Sequence, residues 1–535
     1  MANTADVIAR RLYEAGCRHA FGIPGGEVLT LIKALHEAGI AFGLAKHENA
    51  AGFMAEGTYH ASGAPGVLVA TLGPGVANAV NVVANAWQDR VPMIFLTGCI
   101  DAADALTYTH QIFDHRALLA PVTKATFTVG QDAADVLIDK AVAIATDDQP
   151  GPVMVDVPIA VAAAEQPDNA ATRRMTPTRG APPAGPVLDE ARRWLRDAER
   201  PLLVAGLDAL CQGAEAGVAA FARDQEIPLL TTYKAKGIVA EDAPLSLGAA
   251  GLSPKADALL LALVEKSDLV ILAGYDPIEM RAGWRDPWPG AARVLELSSV
   301  ANTHYMHQAT RSFIGDVAAG LAALGNDCPH GKRWPGGEPA ATRAALREAF
   351  RAGQTWGPAA VIEVARRVLP RDVVASIDTG AHRIVFNQMW ECYAPRTLLQ
   401  STGLCTMGCA LPLAMGYKQA QPQRHVVAFT GDAGLEMVLG ELATLRDLDL
   451  PVIVVVFVDD SLALIELKQR SVGHGNLGVD FGASDFPALA NAFGLHGAWV
   501  DDRASLECEL EDALARSRSS VIACRIGARA YDGMI

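Results

Sequence analysis

The chain has 535 residues, of which half are apolar and a fifth are charged, as is typical of a globular enzyme with about two to four domains. Its formal net charge of −15, from 45 basic and 60 acidic residues, disfavours a nucleic-acid partner and an anionic membrane surface. Nine cysteines, an odd number with no CxxC pair among them, predict reduced thiols and a cytoplasmic protein.

Residues 1–165 alternate helices with short apolar strands. The amphipathic segment MANTADVIARRLYEAG predicts a helix rather than a signal peptide. Strands are predicted in FGIPG, GVLVATLGPG, VPMIFLTG and GPVMVDVP. This alternation is typical of a doubly wound parallel sheet. Residues 166–186, which are rich in Pro, Ala and polar side chains without a period, predict an extended linker.

Two further blocks show the same alternation, and the Gly- and Pro-rich segment NDCPHGKRWPGGEP separates them. Residues 187–325 contain PLLVAGLDA, SDLVILAGYDP and ARVLELSS, and residues 340–535 contain VVASIDTGAH, HVVAFTGDAG and PVIVVVFVDD. The apolar runs are far too short to span a bilayer and suit buried parallel strands. We therefore predict an α/β protein of three doubly wound domains with parallel sheets, which bind ligands outside the carboxyl ends of strands.

Two carboxylates follow two predicted strands of the third block. Asp432 comes directly after HVVAFTG, and Asp459 ends PVIVVVFVD. If these strands are neighbours, both carboxylates lie at one edge of the sheet, where Ala433 and Gly434 let the backbone approach an anion closely. Carboxylates, a backbone carbonyl and phosphate oxygens are typical Mg²⁺ ligands. The pattern predicts a metal-diphosphate clamp, and the alternative is two acidic residues in ordinary loops.

This segment resembles the thiamine diphosphate-binding motif, which begins GDG or GDA and usually ends in Asn-Asn. The resemblance implies that Asp432, Asp459 and the backbone carbonyl of Ser461 hold Mg²⁺. Val458-Asp459 departs from the usual Asn-Asn pair, and the extra charge bears on metal preference and cofactor affinity.

Two segments of the first block resemble the same family. KHENAAGFMAEG contains the glutamate that follows a histidine, which implies that Glu48 contacts N1′ of the cofactor's aminopyrimidine and promotes loss of its C2 proton. The alternative is a solvated glutamate at a helix start. LGPGVAN matches the GPGxxN segment and implies that Gly73, Gly75 and Asn78 shape the pocket over the pyrimidine.

Two segments of the third block complete the pattern. STGLCTMGCALPLAMG implies that Met407 is the apolar wedge under the bent cofactor and that the carbonyl of Cys405, where glycine is usual, meets the 4′-amino group. IDTGAH implies diphosphate contacts from Thr379, Gly380 and His382. Taken alone, the methionine would be a core residue and the histidine a surface residue.

These five segments occur in the family's order over nearly the whole chain. The chain therefore resembles thiamine diphosphate-dependent enzymes of the acetolactate synthase (acetohydroxyacid synthase) large-subunit type. LVILAGYDPIEMRAGWRDPW, with Tyr275, Asp276 and Glu279, is similar to the FAD-independent catabolic branch, so FAD is not expected. An ordinary loop at a strand end remains the alternative for these three residues.

The resemblance also marks residues that face substrate. Gln111, and His110 where the family has Phe, are expected near the 2-oxo acid, and Lys124 matches the family's lysine after the following helix. Histidine there is either a proton donor or a pocket wall. Leu464, Ile465 and Lys468 in SLALIELKQ occupy places that line the acceptor pocket, although a lysine also commonly points to solvent. These residues thus bear on the choice of substrate without identifying the substrate.

The implied activity is decarboxylation of a 2-oxo acid such as pyruvate and addition of the acyl unit to a second carbonyl. Alternatives are a simple 2-oxo acid decarboxylase, an enzyme acting on an anionic aldehyde as sulfoacetaldehyde acetyltransferase does, and an inert binding homologue. The resemblance further implies a homodimer or homotetramer, in which Glu48 of one chain faces Asp432 and Asp459 of another.

Overall fold

The computed structural model describes residues 2–167, 171–173, 180–278 and 280–535. Glu279 and parts of the predicted linker, residues 168–170 and 174–179, lie outside the described residues. In the described part of the chain, no helix is long and apolar enough to cross a membrane.

The first domain is a six-stranded parallel sheet with helices on both faces. Its strands are β1 (His19–Ile23), β2 (Ala41–Leu44), β3 (Gly66–Ala70), β4 (Met93–Cys99), β5 (Ala125–Thr128) and β6 (Pro152–Pro158), in the order β2-β1-β3-β4-β6-β5. Its helices are α1 (Thr4–Glu14), α2 (Leu29–Glu37), α3 (Glu48–Ser62), α4 (Pro74–Gln88), α5 (His115–Leu119), α6 (Ala134–Thr146) and α7 (Ile159–Ala163). The central strands are buried along their length, which explains their continuous apolar runs.

The central domain has a second six-stranded parallel sheet with a different topology. Its strands are β7 (Pro201–Ala205), β8 (Leu229–Thr231), β9 (Ser246–Ala249), β10 (Leu269–Ala273), β11 (Arg293–Ser298) and β12 (Arg311–Ile314), in the order β12-β11-β10-β7-β8-β9. Its helices are α8 (Pro186–Asp197), α9 (Leu207–Cys211), α10 (Glu215–Asp224), α11 (Pro254–Val264) and α12 (Val317–Gly325), and α13 (Glu338–Ala349) follows. This strand order is that of a Rossmann sheet, read from β9 to β12.

The third domain repeats the topology of the first. Its strands are β13 (Val374–Ile377), β14 (Leu398–Gln400), β15 (Val426–Gly431), β16 (Ile453–Val458), β17 (His496–Val500) and β18 (Ser520–Arg525), in the order β14-β13-β15-β16-β18-β17. Its helices are α14 (Pro358–Val368), α15 (Ala381–Met389), α16 (Ala410–Ala420), α17 (Asp432–Glu436), α18 (Glu441–Asp447), α19 (Ala463–Ser471), α20 (Phe486–Ala492) and α21 (Arg503–Ala515). The prediction of three α/β domains with parallel sheets is confirmed.

The first and third domains share one hydrophobic core. Helix α3 crosses α16 so closely that a Cβ on Gly416 would lie 1.9 Å from the Met54 carbonyl oxygen, and one on Gly57 would lie 2.3 Å from the Leu413 carbonyl oxygen. Glycine is therefore required on both helices at this crossing. The contact fixes the start of α3, where Glu48 sits, relative to the third domain.

The segment between β15 and β16 forms two short helices. In GLEMVLGELATLRDL, α17 ends at Glu436 and α18 begins at Glu441. Gly440 stands at the start of α18, and the Glu441 carboxylate accepts the backbone N–H of Lys46 at 2.9 Å. The break turns α18 toward the loop that precedes α3, a contact between domains that no local pattern encodes.

Candidate active site

The structure brings Asp432 and Asp459 together at the carboxyl edge of the third sheet. Strands β15 and β16 are parallel neighbours, with Gly431 paired to Phe457. Asp432 begins α17, and its Oδ2 accepts the backbone N–H groups of Asp459 at 3.0 Å and Asp460 at 2.7 Å. The Asp432 carboxylate therefore sets the turn that presents Asp459.

The two carboxyl groups lie close together, so ionising both of them at once is unfavourable. Burial and the neighbouring Asp432 carboxylate raise the pKa of Asp459 to about 8. Asp459 Oδ2, Asp460 Oδ1 and Ser461 Oγ are buried without a hydrogen-bond partner among the described residues. Buried oxygens of this kind need a proton or a cation, and hard oxygen ligands suit Mg²⁺.

The opposite wall of this pocket offers polar groups suited to an anion. Thr379 Oγ1 and His382 Nε2 are both buried without a hydrogen-bond partner in the described chain. The His382 ring stacks on Phe457, with centroids 5.4 Å apart, and burial lowers the pKa of His382 to about 4. The imidazole is therefore neutral at pH 7, and its one N–H is taken by the Asp378 backbone carbonyl. Donation from Nε2 to a phosphate oxygen would require protonation of the ring or loss of that bond, whereas the Thr379 hydroxyl can donate directly.

The pocket brings together most of the residues predicted in the third block. They share one property, that all line the same cavity: Thr379, Gly380, His382, Met407, Asp432, Ala433, Gly434, Asp459, Ser461, Leu464 and Ile465. Lys468 is exposed and does not line it. Tyr531, near the end of the chain, lines it as well, although no sequence signal marked this residue. Burial raises the pKa of Tyr531 well above its usual range, with the Asp459 and Asp432 carboxylates adding to the effect, so the phenol stays protonated.

Cys405 illustrates why glycine is usual at its position. Its backbone has φ +56°, in the left-handed region that disfavours residues with a Cβ. The side chain is exposed, with Sγ accepting from Arg383 Nη1 at 3.3 Å and donating to the Thr402 carbonyl at 3.1 Å. Cys405 is not among the residues that line the cavity, so its predicted contact would be made by the backbone alone.

Asp378, the aspartate of IDTGAH, was not among the predicted site residues. It organises this half of the site. Its carboxylate is fully buried and accepts the backbone N–H of Gly408 at 2.9 Å and of Cys409 at 3.2 Å. It also accepts the Thr430 hydroxyl at 2.9 Å. A Cβ on Gly434 would lie 2.3 Å from Asp378 Oδ2. Asp378 thus ties the segment containing Met407 to the ends of β13 and β15.

The second cluster lies in the first domain, around Glu48. Glu48 begins α3 and is only 5% exposed, so the alternative of a solvated glutamate does not hold in the chain. Asn78 Nδ2 donates to Glu48 Oε2 at 3.0 Å. A Cβ on Gly75 would lie 3.3 Å from Glu48 Oε1, which leaves room for glycine and little else. Three of the predicted residues are therefore in direct proximity.

Gly73 connects this cluster to the predicted substrate residues. It has φ +66°, and a Cβ there would lie 2.4 Å from the backbone carbonyl oxygen of Gln111. The side chains of Gln111 and His110 are both exposed. Lys124 donates weakly to the carbonyls of Asp147 and Asp148, at 3.3 and 3.4 Å, and thus serves a local structural contact.

The GYDP segment lies away from both clusters. Tyr275 is buried in the central domain, and Asp276 accepts from Arg90 Nε of the first domain at 3.0 Å. Asp276 therefore joins the central domain to the first domain within the chain. The third residue of this group, Glu279, lies outside the described residues.

A buried ionic cluster at the junction of the three domains was not found by sequence reasoning. Lys234, from the central domain, lies 2.8 Å from Asp89 Oδ2 and 3.7 Å from Glu56 Oε1 of the first domain. Asp89 also accepts the backbone N–H groups of Thr402 at 3.0 Å and Gly403 at 2.6 Å. The cluster thus anchors the start of the segment that carries Cys405 and Met407.

No residue of the Glu48 cluster lines the cavity around Asp432. All residues that line the cavity around Asp432 come from the third domain, whereas Glu48, Asn78, Gly73 and Gly75 belong to the first. The donor set still fits thiamine diphosphate with a divalent cation, because orphaned carboxylate oxygens, orphaned donors and an apolar wall converge in one pocket. A buried carboxyl suited to the pyrimidine lies in the other cluster.

Fold and site define a thiamine diphosphate-dependent enzyme, and comparison with known families agrees. The thiamine pyrophosphate enzyme N-terminal TPP binding domain matches residues 2–118, the central domain matches 188–324, and the C-terminal TPP binding domain matches 378–524. The chain belongs to the thiamine pyrophosphate enzyme family.

Among its relatives, acetolactate synthases are prominent. The chain is 28% identical over 512 residues to the acetolactate synthase of Bacillus subtilis, covering 93% of this chain and 88% of that protein. It is 27% identical over 541 residues to the catabolic acetolactate synthase of Raoultella terrigena, with 99% and 96% covered. It is 30% identical over 532 residues to a probable 2-ketoarginine decarboxylase of Pseudomonas aeruginosa, with 97% and 93% covered. The resemblance to acetolactate synthase-like enzymes is confirmed.

Proposed function

We propose that this enzyme decarboxylates a 2-oxo acid, pyruvate or a close analogue, and adds the acyl unit to a second carbonyl compound, as acetolactate synthases do. The observation that carries the proposal is the cavity in which Asp432 and Asp459 face the unpartnered groups of Thr379 and His382. The acetolactate synthases among its relatives, similar over nearly the whole chain, support carboligation as the outcome.

When bound, thiamine diphosphate supplies the carbon nucleophile that attacks the 2-oxo acid and allows CO₂ to leave. The chain's own residues would divide the remaining work. Asp432, Asp459 and the carbonyl of Ser461 would hold Mg²⁺, and Thr379, Gly380 and His382 would bind the diphosphate. Met407, with Leu464, would support the centre of the cofactor.

Glu48 would hold a proton at N1′ of the pyrimidine. Its Oε1 lies close to Gly75, and the Asn78 amide donates to its Oε2 and orients the carboxyl. The carbonyl of Cys405 would accept a hydrogen bond from the 4′-amino group. Gly73 and Gly75 keep the turn above the pyrimidine free of side chains, and Gln111 and His110 would orient the substrate from the exposed loop.

The assembly we infer is a homodimer or homotetramer with each site shared between two chains. It is supported by the separation of the Glu48 cluster from the cavity that contains Asp432 and Asp459. We also infer a cytoplasmic enzyme, because all nine cysteines are free thiols.

A second candidate is simple decarboxylation of a 2-oxo acid with a basic side chain. It is favoured by the similarity to the probable 2-ketoarginine decarboxylase, which extends over 532 residues. That candidate uses the same cofactor site and differs in the donor and in the fate of the acyl unit.

Product analysis by NMR tests the proposal. The purified protein is incubated with thiamine diphosphate, Mg²⁺ and pyruvate, without FAD. Acetolactate is the expected product and would support both carboligation and flavin independence. Acetaldehyde alone would move the enzyme to the decarboxylases. With no product from pyruvate, the same assay with a guanidino 2-oxo acid, and with an anionic aldehyde as acceptor, separates the remaining candidates.

A further inference from the structure

A buried histidine connects the first sheet to the turn above Glu48. His115 begins α5 and is buried, and its Nδ1 lies 2.9 Å from Asp156 Oδ1. On its other side, the backbone N–H of Gly73 donates to His115 Nε2 at 3.1 Å. Three segments that are far apart in sequence thus meet in one line of hydrogen bonds.

These partners fix the tautomer of the imidazole. The Gly73 N–H is a donor, so Nε2 must be the unprotonated acceptor, and Nδ1 carries the hydrogen that points to the Asp156 carboxylate. Asp156 is itself held, because the Thr97 hydroxyl donates to the same Oδ1 from the adjacent strand. The acceptor end of the line is therefore part of the rigid centre of the sheet.

The other end of the line touches the site. Gly73 has φ +66° and lies against the Gln111 carbonyl, and it stands at the start of α4, two residues before Gly75. His115 follows Gln111 by four residues, at the start of the helix that ends this exposed loop. The imidazole therefore pins the loop to the Gly73 turn from inside, leaving the side chains of Gln111 and His110 free.

We propose that His115, oriented by Asp156, is a positioning residue that fixes the Gly73 turn and the Gln111 loop relative to Glu48. The inference rests on the proposed function for its catalytic consequence, but not for the hydrogen bond. Hydroxyl or methyl side chains in place of His115 could not bridge both Asp156 and the Gly73 N–H in this way, whereas an amide offers both an acceptor and a donor.

The hydrogen bond is tested directly by hydrogen-deuterium exchange on the holoenzyme without substrate. The Gly73 amide can be followed in a peptide that spans residues 71–76. Because Pro74 has no N–H, this peptide has few exchanging amides, and slow exchange at Gly73 is readily seen. His115→Leu should speed its exchange on the order of tenfold, as expected for loss of one hydrogen bond. His115→Gln, whose amide oxygen can still accept, should restore part of the protection. His36→Leu, at an exposed position on α2, is the matched control.

The catalytic consequence is tested by kinetics on the same variants. His115→Leu should lower kcat/KM for the 2-oxo acid on the order of tenfold. The Kd for thiamine diphosphate should stay within about twofold, because the residues proposed to bind its diphosphate belong to the third domain. Asp156→Ala should cause a similar loss, and the double variant should be no worse than His115→Leu, because both residues act through one bond.

Two results would overturn the inference: unchanged exchange at Gly73 in His115→Leu, or unchanged kcat/KM in an active enzyme whose exchange is faster. Multiplicative losses in the double variant would also contradict it, since they would assign each residue a separate structural role. If the wild-type enzyme turns over no 2-oxo acid, the proposed function fails, and the exchange data still decide whether His115 holds the Gly73 turn.

Discussion

The Glu48 cluster and the Asp432-Asp459 cluster place carboxylates at corresponding edges of two sheets with the same strand order, but they treat those carboxylates differently. Glu48 is partnered within the protein, by the Asn78 amide. In the third domain, Asp459 Oδ2 and Ser461 Oγ are buried without a partner in the described chain. Under the proposed function, the first cluster would hold one proton, whereas the second would be completed by a cation and an anion.

The difference explains how one topology can serve two roles. In the first domain, Gly73 and Gly75 have no side chain, so the turn can pack closely around the Glu48 carboxyl. In the third domain, the carboxylates of Asp378 and Asp432 accept hydrogen bonds from backbone N–H groups. They thereby shape the loops whose residues would bind the ligand. Chemistry is thus expected to depend on the first cluster, and cofactor binding on the second.

The largest effect is expected for Glu48→Gln, which keeps the shape and removes the carboxyl. Turnover should fall about 10²–10⁴-fold, as for loss of a positioned acid-base group, while the Kd for thiamine diphosphate changes only a few-fold. Initial rates and cofactor titration by calorimetry measure both. Glu37→Gln, on the surface of α2, is the control. Loss of cofactor binding in Glu48→Gln would contradict the expectation that cofactor binding depends mainly on the third-domain cluster.

The next test asks whether the clusters meet across subunits. Glu48→Gln and Asp432→Ala should each be inactive alone. Co-expressed with different tags and isolated as mixed dimers, they should recover about half of the wild-type activity, because each mixed dimer has one intact and one doubly altered site. Mixed dimers as inactive as the parents would mean that each site is built within one chain.

A smaller effect is expected for Asp459→Asn, which restores the residue common in the family. Activity should stay within a few-fold, because the amide oxygen can still act as a ligand, and the concentration of Mg²⁺ needed for half-maximal activity should change by about threefold to tenfold. A Mg²⁺ titration measures this, with the exposed Asp512→Asn as control. Complete loss of cofactor binding would show that the second carboxylate is required.

The smallest effect concerns the buried ionic cluster, where burial raises the pKa of Glu56 to about 7 despite the attraction of Lys234. A carboxyl whose pKa is raised in the folded state stabilises the protein fully at pH values below the ordinary pKa of 4.5. That contribution is lost as the pH rises through about 7, the pKa in the folded state. Relative to Glu56→Gln, the wild-type Tm should therefore be highest near pH 5 and fall by pH 8.

Differential scanning fluorimetry of both proteins across this pH range measures the Glu56 effect. The Gln side chain can still accept from Asn85 Nδ2, which donates to Glu56 Oε2 at 3.0 Å, so packing is preserved. A Tm difference that does not vary with pH would show that Glu56 does not titrate in this range.

The sequence by itself determined the three α/β units and the residues at their strand ends. Short apolar runs bounded by glycine turns are local signals, and adjacent strands of a parallel sheet place Asp432 and Asp459 at one edge. Glu48 on α3, and Gly75 and Asn78 on α4, could be chosen because each segment resembles a motif of the family. Glu48 and Asn78 are 30 residues apart, so the contact between the two segments was visible only in the fold.

Only the tertiary structure decided how these units combine. The shared strand order of the first and third sheets, the crossing of α3 and α16 at Gly57 and Gly416, and the line from Asp156 through His115 to Gly73 have no local signature. Each depends on residues that are tens to hundreds of positions apart and that meet because two packed surfaces share one core. Buried polar groups then have to find partners within that core, and the chain alone does not show which they will be.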